Sequence, residues 1–520
     1  MSGTIRTALR YLHHWRKTGA GEAKRRMTEE RETEKIRHER ARGPVLSSGE
    51  RKTQEGTKFP QEIFFEIVLT GRTAEERDKE QVLQSLKDQT YSYYRIGSGG
   101  GEQKEADYYI FMEEDGWLHP SALFETVKVI CETGAELLYA DEDCFRDFPG
   151  DLSCPHFKPG YGPDTIRGCN LTEAFLVCSK RLIKETKAEY YAKMTADERW
   201  DAVILMAREA RRVERIPRVL FYRRVSGEGK PIVPAIRRVQ DPILGEPLIS
   251  ILIPNKDHRV DLARCVDSIR KKTTWLKWEI IIIENNSEEK ETFRYYEELK
   301  KDKRIRVIQR KGTFNYSAVN NEGFRVAKGE QILLLNNDTE VISPDWIQEM
   351  LRFAQRKDVG AVGTKLYYPD GTIQHAGIGI GIKIVAGHYF RGFSGNSEGY
   401  FRRLQYAQNV SAVTAACMMI PRHVYEEMNG LDESFSVVFN DIDLCLRIRE
   451  AGYFIVWTPW AELTHYESKS RGDDRETKAK ERFFVRETNR FMRKWHQSLA
   501  AGDPYYNPNL TREKEDFSLR

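Results

Sequence analysis

Gln331-Ile-Leu-Leu-Leu-Asn-Asn-Asp-Thr-Glu-Val-Ile-Ser-Pro-Asp345 is an apolar run that stops abruptly at a polar cluster containing a carboxylate. Ile332 to Leu335 is too short for a helix and too evenly apolar for a strand with one wet face. It therefore predicts a strand of a parallel sheet covered on both sides. Asp338 emerges at the carboxyl end of that strand, the edge where open α/β sheets bind ligands and where a carboxylate can hold a divalent cation against a phosphate. Asn336, Asn337 and Asp338 equally suit a plain turn that caps a helix starting near Asp345.

Upstream, Leu248–Pro254, Glu279–Glu284 and Ile305–Gln309 read as further strands, with a charged helix before the last and another helix near 316–327. This βαβαβ alternation predicts a mainly parallel sheet flanked by helices. Downstream, residues 361–416 are rich in glycine and aromatics, including Tyr367, Tyr368, His375, Gly377-Ile-Gly-Ile-Gly381, His388, Phe390 and Phe393. Those glycines do not lie between a strand and a helix start, so they are no dinucleotide fingerprint. The segment reads as a flexible insertion facing an acceptor, and its two histidines read as structural. Asn440-Asp441-Ile442-Asp443 opens a helix running to Ala451, where the dipole favours carboxylates as caps. A short strand, Tyr453–Trp457, and Ala461-Glu-Leu-Thr-His465 follow.

The first half repeats this plan. Ile63–Leu69 and a helical stretch ending Ser85-Leu-Lys-Asp-Gln-Thr-Tyr91 match the strand Leu248–Pro254 and the helix ending Ser268-Ile-Arg-Lys-Lys-Thr-Thr274, which predicts an internal duplication. In the first copy Gly97-Ser-Gly-Gly-Gly101 leads almost at once to Tyr108–Met112 and Glu113-Glu114-Asp115, so at least one βα unit is missing. No helix start follows the glycines at the spacing of a phosphate cradle, so they read as a surface loop.

At 520 residues the chain has room for two or three domains. Lys plus Arg total 83 against 79 for Asp plus Glu, a balance that gives no case for nucleic acid. Eight cysteines with no C-x-x-C pair and no regular spacing suggest neither zinc nor a disulfide framework, which favours a reducing cytoplasm. No apolar run approaches the roughly 20 residues that span a bilayer, and the N-terminus lacks a secretory core. Residues 4–17 put Ile5, Ala8, Leu9, Leu12 and Trp15 at helical spacing among basic residues, a face suited to peripheral contact with the inner side of the plasma membrane or to packing on protein. The expected division is a basic helix and charged linker over 1–58, a first α/β domain over 59–240, a second over 241–500 and a tail over 501–520.

Taken together, residues 247–472 resemble the family 2 glycosyltransferases of the GT-A fold, especially those of bacterial polysaccharide and O-antigen assembly. The resemblance rests, in order, on Ser250-Ile-Leu-Ile-Pro254, Glu284-Asn285-Asn286-Ser287, Asn315-Tyr-Ser-Ala-Val-Asn320, Leu335-Asn-Asn-Asp338, Gly430-Leu-Asp432, Asn440-Asp441-Ile-Asp443 and His465. It implies two GT-A-like domains, the first degenerate, and metal-dependent inverting transfer of a hexose or deoxyhexose to a lipid-linked or polysaccharide acceptor. It assigns Pro254, Glu284, Asn285, Asn315 and Asn337 to the nucleotide-sugar donor, Asp338 and His465 to Mg²⁺ or Mn²⁺, and the general base to Asp441. Two departures are Glu-Asn at 284–285, where many relatives have two acids, and Asn-Asn-Asp in the metal loop in place of Asp-x-Asp. In the first half Arg199 falls where the base should be and Arg223 falls opposite His465. A guanidinium stays protonated and cannot serve as a base. The alternatives are a non-catalytic carbohydrate-binding or scaffolding protein of the same pathway, and a sugar nucleotidyltransferase, the latter disfavoured by the lack of a glycine-rich basic loop near Pro254.

Overall fold

The computed structural model describes residues 43–71, 76–97, 105–147, 149, 151, 154–225, 232–383, 385–466 and 477–520. The helix expected over 4–17 and most of the 97–101 glycine cluster lie outside them. Among the described residues no helix is long and apolar enough to cross a membrane.

Two sheets organise the α/β chain. The first is built from β1 (Phe65–Thr70), β2 (Tyr94–Ile96), β3 (Tyr108–Glu113), β4 (Gly116–Leu118), β5 (Leu137–Phe145), β6 (Phe175–Ser179) and β7 (Val213–Arg224), in the order β2-β1-β3-β6-β5-β7-β4. The strands of the second half are β8 (Ile249–Asn255), β9 (Trp278–Glu284), β10 (Ile305–Gln309), β11 (Gln331–Leu335), β12 (Thr339–Val341), β13 (Val359–Tyr367), β14 (Ile373–His375), β15 (Ile378–Ile380), β16 (Ala386–His388), β17 (Gln408–Asn409), β18 (Cys417–Pro421) and β19 (Phe454–His465). Their main sheet runs β10-β9-β8-β11-β18-β13-β19-β12, while β15 and β16 form a separate hairpin.

The four strands β10, β9, β8 and β11 are mutually parallel, as the βαβ alternation requires. Beyond them the sheet is mixed, because β18 runs antiparallel to both β11 and β13. Alternate side chains of these strands enter two different cores. Leu252, Ile281, Ile283, Ile332 and Leu334 point to one face, and Ile251, Ile253, Ile280, Ile282, Leu333 and Leu335 to the other. Every residue of β8, β9 and β11 is buried, which is why their central residues are apolar on both faces.

Removing β10 from the second order leaves β9-β8-β11-β18-β13-β19-β12, which matches the first sheet strand for strand. The directions match as well, from parallel β1 with β2 and β3 to antiparallel β4 on β7. The expected duplication is thus a shared topology, and the missing unit is β10 with its preceding helix, Lys290–Leu299.

The described segments nearest either end, from residue 43 and up to residue 520, pack on the rest. The helix Ser48–Glu55, inside the stretch expected to be linker, starts with a capping box between Ser47 and Glu50, and Gln54 Nε2 donates to Ser121 Oγ at 3.0 Å. Residues 501–520, set apart above as a tail, are packed between the halves. Asn507 Nδ2 donates to both carboxylate oxygens of buried Asp141 at 2.9 Å, Phe517 is buried on Phe390 and Tyr400, and Glu515 pairs with Lys383 and Arg391. A second polar bridge joins the halves at Asn409. Its Oδ1 accepts the N–H groups of Asp164 and Thr165, and the fully buried Asp164 carboxylate is paired with Arg356.

Cys144 and Cys154 form a disulfide with Cα atoms 5.7 Å apart, although the cysteine spacing suggested no disulfide framework. Spacing gave no sign of it because the pairing is set by the fold. Asp143 Oδ1 accepts the N–H groups of both cysteines, and Glu142 bridges His156 just beyond them.

Asn507→Ala removes the donors that offset the buried Asp141 charge. The protein should lose about 2 kcal/mol, read as a lower urea midpoint with unchanged slope; an unmoved midpoint would show that the last 20 residues, 501–520, do not tie the halves together.

Candidate active site

The carboxyl ends of β8, β9 and β11 form one edge, and the residues singled out there are linked to one another. Pro254 precedes the last residue of β8, Asn255, whose side chain accepts from Asn337 Nδ2 at 2.6 Å and donates to Tyr296 OH at 2.7 Å. Tyr296 OH in turn donates to Glu284 at 2.5 Å, and Ser287 donates to the same carboxylate from its backbone N–H and its hydroxyl. Glu284 is thus held in place from three sides. Asn285 donates to the carbonyls of Arg310 and Gly312, while its own Oδ1 is buried with no partner among the described residues. Asn315 acts as the N-cap of the helix Tyr316–Val326, accepting from Ala318 N at 3.0 Å and donating to Glu433 O at 2.8 Å.

Past the end of β11, the pairing of Thr339 with His465 brings two distant stretches together. His465 Nε2 lies 3.1 Å from Asp338 Oδ1 and 3.2 Å from Asn336 Nδ2, and its Nδ1 lies 2.6 Å from Gln374 Oε1. Gln374 has no protons on Oε1, so His465 donates Nδ1–H to it. Two states fit the other side of the ring. Either an imidazolium donates to Asp338, or a neutral ring keeps its Nε2 lone pair to accept from Asn336 Nδ2 or, beside the Asp338 oxygen, to face a cation. Burial opposes ionisation of Asp338, but the hydrogen bond and charge of His465 outweigh it and hold the carboxyl below its ordinary range. A carboxylate and an imidazole converging in this way form a donor set that fits Mg²⁺ or Mn²⁺ with remaining positions open.

Asp441 stands in the first turn of the helix Asn440–Glu450, entered through Phe439, which holds a left-handed φ of 63°. Its carboxylate accepts from Ile442 N at 2.8 Å and Ala415 N at 3.2 Å. Burial raises its pKa, against the lowering effect of these backbone donors. The neighbouring acid has a different fate. Asp443 is fully buried and consumed by Arg447, Lys494 and the Trp495 indole N–H.

The two acidic centres meet through Tyr316. Its hydroxyl donates to the carbonyl of Ala415 at 3.0 Å and approaches Asn336 Oδ1 at 3.4 Å, so Asp441, Ala415, Tyr316, Asn336, His465 and Asp338 form one continuous wall. Tyr316 and Asn336 lie inside the motifs read above, yet nothing in sequence marks them as the link. Gln374 carries no sequence signal at all, because its role comes from β14 pairing with β13 in the sheet that also holds β19. His375 is buried and His388 half-buried, with their Nδ1 atoms 3.1 Å apart.

The first half shows what the same topology does with other side chains. Gly116 pairs with Arg223 as Thr339 pairs with His465, which puts Arg223 in the histidine's place. Arg223 makes a bidentate contact with Glu113 at 2.9 and 2.7 Å, so a cation of the protein itself fills the position. Arg199 donates to the carbonyl of Met194.

Residues 250–428 match the model of glycosyl transferase family 2. Over 452 residues the chain is 38% identical to the uncharacterized protein y4gI of Sinorhizobium fredii, covering 79% of this chain and 49% of that one. It is 32% identical over 449 residues to the O-antigen biosynthesis protein RfbC of Myxococcus xanthus, covering 80% of this chain and 34% of that one. A shorter match, 26% over 151 residues, is to an N-acetylglucosaminyl-diphospho-decaprenol L-rhamnosyltransferase of Mycobacterium tuberculosis and covers 28% of this chain and 49% of that one. The chain therefore spans half or less of the length of these relatives.

Gln374→Leu keeps the volume but removes the acceptor that orients His465. Mn²⁺ affinity, titrated by electron paramagnetic resonance, should fall about 10–100-fold; an unchanged affinity would remove Gln374 from the site's support.

Proposed function

From the match of residues 250–428 to glycosyl transferase family 2, we propose that the protein is an inverting glycosyltransferase acting in cell-surface polysaccharide or O-antigen assembly. It moves a hexosyl or deoxyhexosyl group from a nucleotide-sugar to a lipid-linked or growing polysaccharide acceptor. The observation that carries this reading is the single wall joining Asp338 and His465 to Asp441 through Tyr316 and Asn336. Kinship with an O-antigen biosynthesis protein supports the pathway, and the shorter match to an enzyme named for a diphospho-decaprenol acceptor supports a lipid-linked one.

The pocket at the ends of β8, β9 and β11 takes the nucleotide, with Pro254, Asn285 and Asn337 along it, Glu284 fixing the loop at its rim and Asn315 fixing the helix behind it. Mg²⁺ or Mn²⁺ held by Asp338 and His465 would offset the charge of the departing nucleoside diphosphate. Asp441 accepts the proton of the acceptor hydroxyl as that oxygen bonds to the anomeric carbon and the bond to the diphosphate breaks. One displacement inverts the anomeric centre. The N–H groups of Ala415 and Ile442 aim the Asp441 carboxylate, and burial makes it a stronger base than a free aspartate. The first half, with Arg223 closed on Glu113, serves as a non-catalytic domain that orients the acceptor or supports its twin.

Asp441 must be ionised to act, so turnover is present above its pKa and is lost as pH falls through it. Because that pKa is raised, the acid limb of kcat/KM should lie above the ordinary aspartate range. Asp441→Asn should lower nucleoside diphosphate release about 10²–10⁴-fold and abolish that limb. Full activity in Asp441→Asn, or a product of retained anomeric configuration by NMR, would overturn the mechanism.

A further inference from the structure

We propose that the outer face of the helix Lys478–Lys494 is a docking surface for an anionic phospholipid bilayer. The helix is 17 residues long, about 25 Å, and its two sides differ sharply in character. The inner side carries Phe484, Glu487, Phe491 and Trp495 against the fold, with Phe491 and Glu487 buried. The outer side presents the cations Lys478, Arg482, Arg486 and Arg493, with Val485, Asn489 and Met492 between them. Val485 is 50% exposed and Met492 39%. One carboxylate, Glu481, flanks this face.

Charge use separates the two sides further. Lys494, on the inner side, is spent on Asp432 and Asp443. Among the described residues Arg482, Arg486 and Arg493 form no ion pair, so their charge is directed outward. A hollow lined by Asn489, Met492, Arg493 and His496 opens on the same face, offering a guanidinium, an amide and an imidazole beside an apolar wall. Cations with short apolar groups between them suit phosphodiester headgroups over acyl chains.

The helix is also fastened to the segment that leads to Asp441. The buried Glu487 accepts from Ser436 N at 2.7 Å, Ser436 Oγ at 2.9 Å and Val438 N at 2.6 Å, and Trp495 donates to Asp443. A bilayer on the outer face would therefore lie one helix thickness from the segment that leads into the helix carrying the proposed base. Only this consequence, presentation of a lipid-linked acceptor, rests on the function proposed above; the surface itself stands on the helix.

The test is co-sedimentation of the full chain with vesicles of phosphatidylcholine, alone or mixed with phosphatidylglycerol, in low and high salt. Binding should require phosphatidylglycerol, weaken with salt, and fall on the order of 100-fold when Arg482→Gln, Arg486→Gln and Arg493→Gln are combined. The difference in emission between Met492→Trp and the parent chain, which cancels the nine native tryptophans, reports on this face and should shift to the blue on mixed vesicles, whatever residues 1–42 do. Equal binding to both vesicle types, undiminished binding of the triple variant, or a silent tryptophan would each overturn the proposal. Donor binding by the triple variant, measured in parallel, shows separately whether the glycosyltransferase reading holds.

Discussion

The pairing of β12 with β19 is the constraint on which the candidate site depends. Neither strand end is functional alone. Placing Thr339 opposite His465 sets the imidazole against Asp338 and Asn336, and β13 beside β19 brings Gln374 to the ring's far nitrogen. The backbone ladder thereby fixes a hydrogen-bond direction. Nδ1 is committed as a donor, and Nε2 is left to face the carboxylate. In a buried setting that arrangement calls for a positive charge, either a proton on the ring or a cation between ring and carboxylate.

The same ladder occurs in the first half and leads to the opposite chemistry. Arg223 takes the place of His465 and Glu113 closes on it, so the positive charge is covalently part of the protein. Among the described residues no strand corresponds to β10, so β2 is the edge of the first sheet. Meanwhile the polar bridges at Asp164–Asn409 and Asp141–Asn507 tie this half firmly to the other.

Much of this was legible because parallel strands buried on both faces must be apolar throughout. Leu248–Pro254, Glu279–Glu284 and Ile332–Leu335 announced the parallel core, and the order of the motifs after them located Asp338, Asp441 and His465. The repeat in the first half could be read because strand and helix recur in the same order. What stayed hidden depends on tertiary proximity. Gln374 is an ordinary glutamine until β14 folds back on β13, the Cys144–Cys154 pair is set by Asp143 rather than by spacing, and residues 501–520 look like a tail because single aromatics and asparagines give no periodic signal. Asn315 illustrates a further limit. Its place among the motifs could be read, but its work as a helix cap appears only in the bonds it makes.

The central claim is that one half of this duplicated chain holds the donor and the other does not. Titration calorimetry of the full chain with UDP-, dTDP- and GDP-sugars in the presence of Mn²⁺ tests it through stoichiometry. The account predicts a single donor site per chain, lost in Asp338→Ala and retained when Glu113→Ala and Asp115→Ala are combined. Two sites per chain, or donor binding that survives Asp338→Ala and vanishes with the first-half changes in a folded protein, would contradict it.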